Sequence, residues 1–370
     1  MEFCETLPSG HELKYWVLDA KAHTVSLEKC STPISGDLEI PATVTHEGVT
    51  YTVTLIGAMA FNMSYYLTSV TIPDSVTNIG DYAFSGCSRL TNMTIPNSVT
   101  KIGEKAFESC SRLTSVTILD SVTEIGQESF RNCSELTDIN VSASNNNYQS
   151  IDGMLYNKAG NMLICCPTGK KGNMTILDSV TKIGDLAFLS CSSLKSVTIP
   201  DSVSTIGDAT FQKCKGLKNV TIPNSVTEIG EYAFYYCSGL TSVTIKSTIP
   251  PVCKESVYYI SYDYDCLIFS VYDTLYVPNE SVDLYKNASP WNRFKHIIGV
   301  DFADKPIYHA EAKLYVQGTE LQNKENELVT IYDATGKAVM KSAASIISME
   351  ELPKGTYMVA TIWGSFMIER

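Results

Sequence analysis

The sequence predicts an α/β solenoid of stacked 23-residue coils, and three observations lead there. A word reading S-V-T-x-I-G-x-x-A-F-x-x-C-S-x-L-T-x-V-T-I-P-(D/N) recurs seven times with little change, its glycines at Gly57, Gly80, Gly103, Gly126, Gly184, Gly207 and Gly230. Cys87, Cys110, Cys133, Cys191, Cys214 and Cys237 all occupy one column of that word. A unit this short cannot bury its own apolar face, so neighbouring coils must stack and cap one another. The functional question therefore shifts from a catalytic cleft to a long surface.

Within the coil from Ser75 to Asn97, Leu90, Met93 and Ile95 predict a short strand with alternate residues inward. Pro96 and Asn97 end it, because proline donates nothing to a ladder and Asn favours a turn. Val76 and Ile79 make a second short extended segment, and Gly80 is expected to permit the tight bend that follows. Asp81 to Cys87 then suits one or two helical turns, with Ala83, Phe84 and Cys87 facing in. The acids opening these segments (Asp81, Glu104, Asp185, Asp208, Glu231) are read as favourable charges at helix N-termini.

The cysteine column is read as a ladder of buried, reduced thiols. Coils about 5 Å apart place equivalent Cα atoms near disulfide range, but parallel Cβ vectors do not converge. Equivalent positions on a flat stack also make no tetrahedron for a metal. The vicinal pair Cys165-Cys166 is expected to be structural as well.

Along the chain, residues 1–50 hold degenerate repeat material and read as an N-terminal cap, and the solenoid occupies 51–248. The 58-residue interval from Gly126 to Gly184 exceeds one period by 35, so an insertion at about 142–173 interrupts the stack. There, Met154–Asn157 and Met162–Cys165 flank Lys158-Ala159-Gly160-Asn161 as a β-hairpin, entered through a polar Asn145-Asn146-Asn147 loop. Residues 249–299 change composition and read as the C-terminal cap, with a helix near Val282–Lys286 and an aromatic plug at Trp291 and Phe294. Residues 300–370 lack the repeat. Strands at Leu328–Tyr332 and Thr356–Ile362, with a turn at Asp333–Gly336, predict a small β-sandwich.

Composition excludes several functions. A net charge of −12 argues against nucleic acid and anionic membrane as partners. No run of 18 apolar residues is present, so no transmembrane segment is expected. The opening Met1-Glu2-Phe3-Cys4-Glu5 has neither a basic n-region nor an apolar h-region, which predicts either a cytoplasmic protein or a leader missing from this chain. The five histidines are scattered outside the repeat core, and no metalloprotease, P-loop or nucleophile-elbow motif occurs. No catalytic residue, cofactor or metal is expected.

Candidate ligand contacts fall in two groups. The strand's outward columns run Ser69, Asn92, Ser115, Asp138, Ser196, Asn219, Ser242 and Thr71, Thr94, Thr117, Asn140, Thr198, Thr221, Thr244. This lattice reads either as a recognition strip for a protein, a glycan or ice, or simply as residues that suit a strand surface. It lacks the Trp, Tyr and Arg of binding hot spots. The second group departs from the repeat: Tyr65, Tyr66, Tyr82, Tyr148, Tyr156, Tyr232, Tyr235 and Tyr236, with Lys170 and Lys171 beside the hairpin and more tyrosines between 258 and 276. Tyrosine supplies contact area at low entropic cost, although many of these are equally suited to covering neighbouring coils.

The I-G-x-x-A-F-x-x-C and L-x-x-V-x-I-P elements resemble the BspA-like leucine-rich repeat family over residues 40–298, and Asp152–Tyr156 (D-G-M-L-Y) resembles that family's inserted hairpin. The resemblance implies a leucine-rich repeat solenoid and a bacterial cell-surface or secreted protein. It further implies non-catalytic adhesion to host matrix proteins or other cells. The alternatives are a glycan-binding module and a structural spacer presenting the C-terminal domain. In the tail, Asp333–Lys337 and Leu352–Tyr357 are similar to type IX secretion sorting domains, without the Asn-Pro motif that usually opens them. A plain accessory β-domain is the other reading of that segment.

Overall fold

Each 23-residue word folds into one coil with two short parallel strands and a turn face. In this computed structural model the described residues are 1–254, 269, 273–302, 314–317, 320–323, 329–332, 338–342, 344, 346–350, 352–354, 356–361 and 364–369. The tyrosines at 258, 259, 262, 264 and 272 and the turn at 333–336 lie outside them.

One strand face is the expected ladder of L-x-x-V-x-I strands. Tyr66–Thr71 pairs in parallel with Asn92–Thr94, Ser115–Ile118 with Asp138–Val141, and Asn219–Ile222 with Ser242–Ile245. The second is built from Asn78–Ile79, Lys101–Ile102 and Glu124–Ile125, in register residue for residue. Between them, Val76, Ile79, Ala83, Phe84, Cys87, Leu90 and Ile95 are essentially inaccessible, and the same positions repeat down the stack. The phenylalanine column forms an offset stack, with centroids 5.1 Å apart for Phe61–Phe84 and 5.4 Å for Phe84–Phe107.

The third face is turns rather than the expected helix. An α-helix satisfies its N–H groups internally and offers a neighbouring coil nothing. Here alternate N–H groups bond forward to the next coil: Tyr82 to Glu104 O at 2.8 Å, Phe84 to Ala106 O at 2.8 Å and Gly86 to Glu108 O at 2.7 Å. The intervening ones close i−3 turns, as Ser85 N to Tyr82 O at 3.0 Å and Cys87 N to Phe84 O at 3.1 Å. Two residues per coil take left-handed φ to allow this, among them Tyr82 (57°), Gly86 (79°), Lys105 (51°) and Ser109 (60°). Only Val282–Asn287 is α-helical among the described residues.

Three of the acids opening the turns also act differently from helix-end charges. Asp81 Oδ1 accepts from Glu104 N at 2.8 Å, and Asp185 and Asp208 do the same to the following coil. They staple coil to coil. Nor does the repeat glycine serve a left-handed bend. At Gly103 an added Cβ would lie 2.5 Å from Asp81 N and Gly80 C, so glycine is required because two backbones touch.

In the N-terminal cap, Ser35–Glu39 pairs in parallel with Tyr66–Thr71 as a repeat strand does, behind a meander of another kind. Glu2–Thr6, Glu12–Asp19 and Thr24–Glu28 form an antiparallel meander, and Thr24–Glu28 then pairs in parallel with Val49–Ile56 to start the stack. At the other end Thr274–Pro278 and His296–Val300 continue the ladder of Ser242–Ile245. Tyr285 donates its hydroxyl to Ser247 O at 2.9 Å and Trp291 Nε1 donates to Pro251 O at 3.2 Å, so the aromatic plug is anchored by hydrogen bonds. Farther on, Leu314–Gln317, Glu320–Asn323 and Ile346–Ser348 make one antiparallel sheet, and Val329–Tyr332, Ala338–Ser342, Thr356–Thr361 and Gly364–Glu369 another. Leu321, Val329, Ile331 and Ile347 join them in a small core.

The insertion contains the expected hairpin plus a third strand, Tyr148–Ile151, paired with Met154–Asn157. Met162–Cys165 rejoins the stack beside Lys182–Ile183. This sheet separates two hydrophobic cores, Leu155 facing the N-terminal one and Met154 and Tyr156 the C-terminal one. Asn145, expected in a solvated loop, is wholly buried. Its Nδ2 donates to Leu119 O (2.7 Å) and Val122 O (3.0 Å), while Oδ1 accepts from Asn147 N (2.8 Å) and Tyr148 N (2.9 Å).

Candidate functional site

The two outward columns align as the spacing predicts. Ser69 stands opposite Asn92, Thr71 opposite Thr94, Thr117 opposite Asn140, and Thr221 opposite Thr244. Thr94, Thr117 and Thr198 are exposed and Thr221 is half-buried, whereas Ser242 and Thr244 are closed off at 7% and 8% exposure. Within the first column the side chains partly satisfy one another: Ser69 and Thr68 donate to Asp37 at 2.6 and 2.7 Å, Ser196 to Asn173 at 2.9 Å and Ser242 to Asn219 at 2.7 Å. Those cross-strand bonds favour the strand-surface reading for that column.

The tyrosines separate by environment. Tyr65 (48% exposed) and Tyr66 (58%) project from the first full coil, where Met59 and Met63 are exposed as well. Arg89 stacks its guanidinium 4.7 Å from the Tyr66 ring centre, which fixes that ring. At the far end of the array, Tyr232, Tyr235 and Tyr236 form a second cluster, with centroids 5.6 Å apart for the first pair and 4.2 Å for the second. Tyr236 is 51% exposed.

Three others serve the stack. Tyr82 accepts from Lys105 Nζ at 3.2 Å, with that ammonium 5.4 Å from its ring centre. Tyr148 is half-buried and donates to Thr123 O at 3.2 Å, covering the preceding coil. Tyr156 is fully buried, so its placement among surface contacts is corrected: it alternates inward on the hairpin strand, into the C-terminal core. Burial pushes its phenol up to about 12, and the hydroxyl has no hydrogen-bond partner among the described residues.

A family profile described as the BspA type leucine rich repeat region matches residues 50–161 and 167–264 in six copies, more than half of the chain. The chain belongs to the BspA-type leucine-rich repeat family. A leucine-rich repeat protein from Eubacterium ventriosum shares its fold, with 21% identity, TM-score 0.50, and coverage of 80% of this chain and 84% of that one. The pneumococcal vaccine antigen PcpA is similar at 19% identity and TM-score 0.49, covering 81% of this chain and 99% of that one. A leucine-rich repeat protein from Bacteroides ovatus is similar at 25% identity and TM-score 0.48, covering 78% and 76%. A comparison with curated proteins finds no match.

The cysteine ladder of this BspA-type stack is internal. Cys87, Cys110, Cys133, Cys214 and Cys237 are buried with free thiols, each donating to a carbonyl of the preceding coil at 3.0–3.3 Å. Desolvation pushes the Cys87, Cys133 and Cys237 thiols up to about 12, and those of Cys110 and Cys214 well above the ordinary range. The thiolate, the reactive form, is thereby disfavoured.

Sequence reasoning missed Met59 and Met63. They occupy left-handed turn positions (φ 60° and 63°) that point side chains outward, a consequence invisible while the turn was read as helix. It also missed a cavity of about 110 Å³ where the insertion breaks the turn face, bounded by Glu128, Phe130 and Arg131 on one lip and Asp185, Leu186 and Leu189 on the other. Among the described residues no helix is long and apolar enough to cross a membrane.

Proposed function

We propose that this protein is a non-catalytic cell-surface or secreted binding protein, whose ligands are proteins such as host extracellular-matrix components. The observation that carries this reading is the exposed aromatic clustering at departures from an otherwise uniform repeat. Met59, Met63, Tyr65 and Tyr66 are all exposed on the first full coil, at one end of the array, and Tyr236 rests on Tyr235 at the other. Large, rigid aromatic and methionine side chains are what protein-binding surfaces are enriched in. The small polar lattice of Thr94, Thr117, Thr198 and Thr221 supplies shape and exclusion of water rather than anchors. Membership of the BspA-type family supports display outside the cell, and the C-terminal β-domain fits an accessory or sorting role.

The test is a solid-phase array of extracellular-matrix proteins and glycans probed with the purified full chain, alongside fractionation of the source cell. Saturable binding to a matrix protein and recovery in the surface or secreted fraction are expected. Binding to glycans alone would replace the protein-ligand reading. An entirely cytoplasmic chain that binds nothing would overturn it.

A further inference from the structure

Every intact pair of neighbouring coils is joined on the turn face by three forward rungs. Tyr82, Phe84 and Gly86 donate to the coil after them, Lys105, Phe107 and Ser109 to the next, and Leu186, Phe188 and Ser190 repeat the pattern beyond the insertion. By register, Glu128, Phe130 and Asn132 are the corresponding donors of the coil that meets the insertion. Among the described residues, none of their three N–H groups has an acceptor. Across the break the matching acceptors are the carbonyls of Asp185, Ala187 and Leu189, and only Ala187 is used, by Cys166 N at 2.7 Å. The phenylalanine stack is broken at the same level: Phe130 ends one run and Phe188 begins the next.

The 35 extra residues of the insertion therefore supply only one rung of a turn face, Cys166 N to Ala187 O. What they leave is the cavity of about 110 Å³, floored by Leu155, Ile164 and Cys165, with room for one branched or aromatic side chain. An open row of backbone N–H groups is a template for an incoming backbone, as at the edge of a sheet. Charge adds a preference. Glu128 shares Arg131 and Lys105 with Glu108 and Glu104, while no basic side chain pairs with Asp185 among the described residues.

We propose that this break is a peptide-binding cleft that takes an extended segment of a partner protein, one apolar side chain entering the cavity and basic residues flanking it. The partner's alternate carbonyls accept from Glu128, Phe130 and Asn132, restoring the rungs the insertion omits. This is strand addition applied to a turn ladder, with backbone bonds for affinity and one pocket for specificity. Five residues span the three donors, because carbonyls at alternate positions meet N–H groups at alternate positions. The proposal rests on the protein-binding reading above and gives it a place and a chemistry.

The experiment uses the full chain and a fluorescein-labelled Lys-Val-Phe-Val-Lys pentapeptide, read by anisotropy and by amide hydrogen exchange. Saturable binding is expected, with exchange at Glu128, Phe130 and Asn132 slowed by about tenfold or more at saturation. Replacing the peptide's Phe by Ala, or filling the cavity with Leu189→Trp, should each weaken binding by about tenfold or more. The peptide change and the exchange measurement decide the matter even where Leu189→Trp impairs folding. No binding up to about 1 mM, or binding that leaves those three amides unprotected, overturns the cleft. If the chain captures a matrix protein but neither these amides nor Leu189→Trp respond, the cleft fails and the broader reading stands. Protection by the pentapeptide with no protein captured on the array has the opposite meaning.

Discussion

Replacing Gly103 by alanine tests how the coils are held together. An added Cβ would sit 2.5 Å from Asp81 N, from Asp81 Oδ1 and from Gly80 C, against an ordinary contact of 3.4–4 Å. Two of those neighbours are backbone, so relief requires the coils to separate by about 1 Å, the cost of overpacking being about 1–3 kcal/mol. Separation also stretches Gly103 N to Ile79 O (2.8 Å) and Glu104 N to Asp81 Oδ1 (2.8 Å), each worth about 1 kcal/mol. The expected destabilisation is about 3–5 kcal/mol, measured by urea unfolding monitored by circular dichroism. Gly172 is the control, with a left-handed φ of 80° and nothing within 4 Å of an added Cβ. Alanine there should cost about 1–2 kcal/mol from strain alone. A Gly103→Ala chain within about 1 kcal/mol of the parent, or milder than Gly172→Ala, would refute close backbone contact as the reason for the glycine.

Other outcomes follow from the buried polar groups. Removing the Asn145 side chain with Asn145→Ala strips two carbonyls and two N–H groups of their partners, and should cost about 3 kcal/mol or more in the same unfolding assay. Tyr156→Phe deletes a buried hydroxyl without a partner and should leave stability unchanged or raise it by about 1 kcal/mol. The ladder thiols are raised in the folded state, to about 12 at Cys87, from an ordinary value of 9.0. The unfolded chain therefore loses its protons first: the thiol contribution is whole below about pH 9 and falls as pH climbs towards 12, a slope that a Cys87→Ala chain should show less steeply. Native protein should leave Cys87, Cys110, Cys133, Cys191, Cys214 and Cys237 unmodified by a thiol reagent, and denatured, unreduced protein should release all six.

The stack was legible because its register is written in identical letters. Phe84, Cys87, Leu90 and Ile95 recur at a fixed interval, and that interval alone puts each against its own copy. The turn face was not legible in kind, because Ala83, Phe84 and Cys87 have the spacing of an apolar helical stripe. What decides is competition for backbone N–H groups by the next coil, which a single coil's sequence does not display. Asn145 reads as polar loop from its Asn-rich surroundings, yet its amide has four backbone partners, two on the preceding coil and two just after it in the chain. Tyr148 and Tyr156 are the two tyrosines of the insertion, and only the alternation of a strand clamped between two cores sends one fully inward. The cleft proposed at Glu128 and Phe130 was nearly illegible, since it is defined by a turn that the chain omits. Its one sequence signal was the 58-residue glycine interval.

The central claim is that the regular coils build a stack and that binding resides where the chain departs from it. The most direct measurement compares two full-length variants on the matrix-protein array: Tyr65, Tyr66 and Tyr236 changed to Ala in one, and Thr94, Thr117, Thr198 and Thr221 changed to Val in the other. Both should fold as the parent does, since every one of these side chains except the half-buried Thr221 is exposed. The tyrosine variant is predicted to lose at least about tenfold in affinity while the threonine variant binds nearly as the parent. Full binding by the tyrosine variant, with loss in the threonine variant, would place recognition on the repeat itself and contradict the account.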